Sequence, residues 1–248
     1  EPLLAALKQF ETEQFPARFA RFIEADSTGQ TNAAPWQMLE PVSAQAVAAS
    51  LEVGTNGVVR YLGNKAKDDT YTVKATTYQR GLRALRVDAL ADAALPAKGP
   101  GLSDNGNFVL SEFKVTARPL DPKSKAKPVT LKLKAVAATF EQARYPLAAV
   151  VDSRPNSGWA VAPEFGKNHA AIFGIEGEPV GFAGGTELEF QLVFKNFFGI
   201  GRLRLGFSNG ESPAALADAK AEQNVRELQS TLAATGGALN ETNRAALF

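Results

Sequence analysis

The chain is 248 residues long, with no cysteine, one histidine, one methionine, and 27 basic against 26 acidic side chains. Those counts exclude a disulfide framework, a Cys-ligated zinc site, an iron–sulfur cluster and a covalently attached c-type haem. They also leave His169 as the one position for a histidine-based relay. A net charge of +1 is far from the clustered basicity of a phosphate-neutralising protein, so nucleic acid is not an expected partner, and no run reaches the ~18 residues of an apolar membrane span.

In chain order, residues 1–33 read as a helical segment. Leu3, Leu4, Leu7 and Phe10, then Phe15, Phe19, Phe22 and Ile23, recur at helical spacing, and Pro16 between the sets divides or kinks the helix. Ser27 to Asn32 is a polar linker, after which the period switches to two. Tyr71, Val73 and Ala75 alternate with Thr72, Lys74 and Thr76; Leu188, Phe190, Leu192 and Phe194 with Glu187, Glu189 and Gln191; Leu203, Leu205 and Phe207 with Arg202, Arg204 and Gly206. Such strands, with one greasy and one wet face and with turn signals at Asn56-Gly57, Gly184-Gly185 and Asn209-Gly210, predict an antiparallel β-sandwich over residues 34–211. The basic, Pro-rich stretch Arg118 to Pro128 reads as an exposed connection. Residues 212–248 read as a second helical segment, with Val225, Leu228 and Leu232 at helical spacing ahead of Gly236-Gly237. The expected fold class is mainly β, a sandwich with short helices at both termini.

The sequence carries no nucleophile elbow, phosphate-binding loop or dinucleotide fingerprint, so a non-catalytic role is expected. Two stretches are rich in oxygen ligands. Gly99 to Ala117 runs from a Gly- and Asn-rich loop into a strand with Val109, Ser111, Phe113 and Val115 on one face and Leu110, Glu112, Lys114 and Thr116 on the other. Ala148 to Trp159 packs Asp152, Ser153 and Ser157 into a tight turn ahead of an aromatic. Hard cations such as Ca²⁺ take six to eight oxygen ligands of these kinds. The competing reading makes Asp152 the cap of an Asx-turn and Glu112 a solvated strand residue.

The strands and loops through Trp36, Asp69-Thr70-Tyr71-Thr72-Val73, Leu85 to Leu90, Gly99-Pro100-Gly101, Asn105 to Val115, Gly158-Trp159-Ala160-Val161 and Gly201 to Leu205 resemble a known region. It is the non-haem β-sandwich region of large planctomycete cytochrome-type proteins, over about residues 36–208. That region in turn resembles the galactose-binding, discoidin and F-type lectin jelly roll. The resemblance implies a periplasmic or secreted multidomain parent whose haem lies in another domain, and a structural calcium at Glu112, Asp152 and Ser157. The sequence departs from the lectin pattern at Ser153, where Gly is usual. The function expected on this basis is carbohydrate binding, of a polysaccharide with sulfated or acidic groups. Its ligand contacts by residue type are Trp159, His169 and the same-face pair Arg202 and Arg204. The alternative is a structural domain that positions a haem domain or other neighbour without binding a glycan.

Overall fold

The computed structural model describes residues 36–154 and 156–210. The helices expected over 1–33 and 212–248 lie outside the described residues. The strands are β1 (Gln37–Met38), β2 (Pro41–Ala46), β3 (Ser50–Val53), β4 (Val58–Leu62), β5 (Lys67–Thr77), β6 (Ala84–Ala89), β7 (Glu112–Pro119), β8 (Val129–Thr130), β9 (Leu133–Ala138), β10 (His169–Ile175), β11 (Thr186–Phe198) and β12 (Arg202–Ser208). They form a β-sandwich of two antiparallel sheets. A seven-strand sheet runs β3-β4-β12-β6-β10-β9 with β1 also on β12, and a five-strand sheet runs β2-β5-β11-β7-β8. Among the described residues no helix is long and apolar enough to cross a membrane.

The alternation read from the sequence sets which side chains enter the core. On β11, Leu188, Phe190, Leu192 and Phe194 are fully buried and face Val87, Phe173, Leu203 and Leu205 of the opposite sheet within one core. Rings tie the layers together: Phe113 lies 4.8 Å from Phe173 across the sandwich, and Tyr61 lies 5.8 Å from Tyr71. Each such ring removed from water contributes roughly 1.5–3 kcal/mol. Burial raises the Tyr71 hydroxyl far above its ordinary pKa, and the hydroxyl donates to the Ile200 carbonyl at 3.1 Å.

Two expectations about faces change. Leu110 does not share the outward face of Glu112 and Lys114; it is fully buried. The strand begins only at Glu112, and upstream Leu110 exchanges two 2.9 Å backbone hydrogen bonds with Trp159. A side chain at Gly158 would place its Cβ 2.1 Å from the Leu110 carbonyl oxygen, so this crossing requires glycine. The wet outer face also fails on β6, where all six residues are buried.

Candidate functional site

Trp159 does not provide an exposed sugar platform. It is fully buried, its indole N–H donates to the Phe140 carbonyl at 2.8 Å, and its ring meets Phe108 edge-on at 5.0 Å. His169, the first residue of β10, is also buried: Nε2–H donates to the Glu164 carbonyl at 2.6 Å and Nδ1 lies 3.0 Å from the Thr139 hydroxyl. Thr139 Oγ1 accepts the Ala170 N–H, which leaves its own proton for Nδ1. Burial lowers the His169 pKa, opposed by the Glu164 carbonyl, so the ring is neutral near pH 7.

The two arginines do not form an open anion clamp. Arg204 stands directly opposite Asp88 in the sheet register, and its Nη2 lies 2.9 Å from Asp88 Oδ2. Arg202 Nη1 lies 3.2 Å from Asp92 Oδ2. Both guanidinia, one part-exposed and one largely buried, take carboxylate partners from their own fold.

Of the proposed calcium ligands, Glu112 lines a 290 Å³ cavity with Lys114, Lys132, Val150, Val151, Ser153 and Glu176 among others, whereas Asp152 and Ser157 are not among its lining residues. Glu112 pairs with Lys114 at 2.5 Å. Asp152 Oδ1 accepts the Arg154 N–H at 2.8 Å, the Asx-turn role. Ser153 sits at φ 62°, in the left-handed region that glycine favours, so the turn keeps the backbone shape of a Gly-bearing loop with serine in place. Among the described residues no group of three or more His, Asp or Glu side chains could hold a metal.

The structure assembles a different site at one end of the sandwich. A 320 Å³ cleft is lined by Lys67, Ser103, Asn105, Asn107, Phe108, Gln142, Tyr145, Asn196, Phe197 and Phe198 among others. That volume is at the low end of the ~300–1,000 Å³ of small-molecule sites. One wall is the loop preceding β7. Gly101 N–H donates to Gly106 and Ser103 N–H to Asn107, and a Cβ at Gly101 would lie 2.0 Å from the Asn107 carbonyl oxygen. This compact loop presents Asn105 at its exposed tip. The second wall is the turn Gln142–Tyr145, pinned through Gln142 N–H to the Ala160 carbonyl. Asn107 and Gln142 join the two walls at 2.9 Å and accept the N–H groups of Val161 and Ala162, so these amides are scaffold.

The third wall is a bulge in β11. Phe194 pairs with Asp69 and Phe198 with Lys67, so Lys195, Asn196 and Phe197 stand against the single residue Asp68. Asn196 adopts φ 62°. Asp68 Oδ1 accepts the Asn196 N–H at 2.9 Å and lies 3.1 Å from Lys195 Nζ. The Asn196 N–H, then Lys195, hold the Asp68 carboxyl below its usual range. Bulges re-aim side chains, and this one brings half-buried Phe197 edge-on to half-buried Tyr145 with ring centroids 6.0 Å apart. Lys67 Nζ lies 5.3 Å from the Phe198 ring centroid, adding a cation at the rim. The cleft thus combines two aromatic rings, exposed amides at Asn105 and Asn196, and an ammonium group.

Asn105 and Asn107 fall in a loop that the sequence already marks, but Tyr145, Asn196 and Phe197 do not stand out there. The one local cue is Lys195-Asn196, where polar residues interrupt the period-two alternation of β11. No family model matches this chain, and no curated protein sequence matches it.

Proposed function

We propose that this domain is a non-catalytic carbohydrate-binding module of a larger exported protein, and that the sugar is held in the cleft between the Asn105 loop, the Gln142–Tyr145 turn and the β11 bulge. The observation that carries this reading is the pairing of Tyr145 and Phe197 beside exposed amides. Aromatic carbon takes the apolar face of a pyranose, and amides take its hydroxyls. Lys67 favours a polymer with sulfate or carboxylate groups over a neutral one. The resemblance to galactose-binding jelly rolls supports the same class of function and extends to the planctomycete cytochrome-type parent. Trp159 serves this site from beneath, by fixing Phe108 and the Phe140 carbonyl.

Affinity electrophoresis against neutral and sulfated polysaccharides tests this reading. Retardation by at least one polymer, lost in Tyr145→Ala and weakened by 0.5 M salt for a sulfated polymer, is the expected result. No retardation by any polymer removes the glycan reading in favour of a domain that positions its neighbours.

A structural calcium remains part of the proposal, with Glu112 and main-chain carbonyls of the Val150–Ser153 turn as its oxygen donors rather than Asp152 and Ser157. Its support is the cavity these residues share and the left-handed backbone at Ser153. A chelator is expected to lower the melting temperature by several degrees. An unmoved transition, with no calcium by elemental analysis, sinks the assignment.

A further inference from the structure

Residues 122–139 carry five lysines, Lys123, Lys125, Lys127, Lys132 and Lys134, with no acidic residue, arginine or aromatic ring among them. The rest of the chain holds 22 basic against 26 acidic side chains, so the net charge of +1 conceals one basic stretch in an otherwise acidic sequence. The fold gathers that stretch on one flank. β8 ends the five-strand sheet, β9 ends the seven-strand sheet, and only Leu131 and Lys132 separate them in the chain. All five lysines are exposed there. Lys65, Lys74, Lys114, Lys167 and Lys195 each form an ion pair, whereas among the described residues the five lysines of the flank form none. The backbone holds them in place. Asp121 Oδ1 accepts the Lys123 N–H at 2.8 Å and Ser124 Oγ the Ala126 N–H at 3.2 Å, two turns that shape the loop. On β10 a Cβ at Gly174 would meet Lys134 Cε at 3.0 Å, so glycine leaves room for the lysine stem to lie across the sheet.

We propose that this lysine flank is a second contact for the polysaccharide held in the cleft, binding sulfate or carboxylate groups further along the same chain by charge; the proposal rests on the carbohydrate reading of the cleft. The two places are continuous. β7 runs from Glu112, which pairs with Val193 just before the bulge, to Pro119 at the start of the lysine loop, eight residues or about 25 Å. Asn196 Nδ2 at the cleft donates to Asn156 Oδ1 at 3.3 Å, and Ser153 of the same turn lines a cavity with Lys114 and Lys132. A saccharide that fills only the cleft does not reach the flank, whereas a polymer engages both and gains from the second contact. The residue types select the partner. Lysine is a point charge without the fork by which arginine grips a single phosphate or carboxylate, so the flank reads charge density along a chain. A nucleic-acid surface combines such charges with arginines or stacking rings, and residues 122–139 have neither.

The test titrates the full chain with dextran sulfate and with a sulfated disaccharide over a range of salt concentrations. Replacing all five lysines with Gln should weaken dextran sulfate binding about tenfold or more and flatten its salt dependence, while the disaccharide, confined to the cleft, binds as before. Lys67→Gln should weaken both. Unchanged affinity and salt slope for dextran sulfate in the five-lysine variant overturn the proposal and leave the cleft reading standing. Equal weakening of the disaccharide also overturns it, because the lysines then act on the cleft itself. If the native chain does not bind dextran sulfate at all, the flank is no polyanion contact, and retardation by other polymers decides the cleft reading separately. Duplex DNA bound as tightly as dextran sulfate, and lost in the same variant, makes the flank a nucleic-acid contact and overturns the proposal. Should the five-lysine variant unfold, as its melting curve would show, replacing Lys123, Lys125 and Lys127 of the exposed loop with Gln decides by the same outcomes, with a loss of about threefold or more expected.

Discussion

The two sheets have outer faces of opposite character, although similar residue types lie on both. On the five-strand sheet, Lys74, Arg118, Glu187 and Glu189 form ion pairs at 3.3–3.5 Å with side chains partly open to water. On the seven-strand sheet, Arg86 Nε meets Asp88 Oδ1 at 2.6 Å, and both side chains are about 95% or more out of solvent. A carboxylate between two cationic side chains is therefore partly hydrated on one face and an obligatory neutralising charge on the other. Period-two alternation of apolar and charged residues reports a two-faced strand; whether the charged face meets water depends on what lies over it.

This difference predicts unequal costs for similar changes. Asp88→Ala leaves Arg86 and Arg204 without their shared carboxylate and is expected to lower unfolding stability by about 3–5 kcal/mol in a urea titration. A loss under 1 kcal/mol would mean that the cluster is hydrated. Ile172→Ala, on the same face, should cost about 2–5 kcal/mol, as a core truncation does, because its side chain is 1% exposed. If it costs no more than a surface change, that face is open to water.

The His169 contribution is smaller and depends on pH. Its pKa in the fold lies below the unfolded value of ~6.5, so its stabilisation is complete above ~6.5 and is lost as pH falls from there through the folded value. Melting temperature should decline between about pH 7 and pH 5 in the native chain and decline less in His169→Gln. An identical slope in the two proteins would contradict the buried neutral ring. The smallest effect belongs to the five-strand sheet, where Glu189→Ala should change stability by at most about 1 kcal/mol, since its pairs with Lys74 and Arg118 are screened by water.

The sandwich itself was legible because β5, β11 and β12 alternate strictly, and the residues read as greasy, from Tyr71 to Phe207, are those in the core. The run Ala170-Ala171-Ile172-Phe173, apolar on both parities, is the signature of a strand covered on both sides, and β10 is such a strand. Trp159, His169, Arg202 and Arg204 were candidates by residue type, and type does not report burial. An indole whose N–H finds a carbonyl, or a guanidinium opposite an aspartate 116 residues away, belongs to the scaffold. The cleft was half legible. Its Asn105 loop is marked by glycines and asparagines in sequence, but Tyr145 and Phe197 meet only through the bulge at Asp68, a long-range register shift whose one local cue is the Lys195-Asn196 break in alternation.

That bulge also gives a graded test of the site. Asp68→Ala removes the acceptor of the Asn196 N–H at an exposed position, so folding stability should change by less than about 1 kcal/mol while affinity for the retarding polysaccharide falls several-fold, because Asn196 and Phe197 are no longer held. Unchanged affinity would detach the bulge from binding.

The most direct measurement is an NMR titration of the full chain with a soluble oligosaccharide of the best-retarding polymer, following backbone amides at 1–10 mM ligand. Shifts concentrated at Ser103 to Asn107, Gln142 to Tyr145 and Lys195 to Phe198, absent in Tyr145→Ala, are the predicted result. Shifts centred on Arg202 and Arg204, or on no contiguous surface, would contradict a sugar site in this cleft.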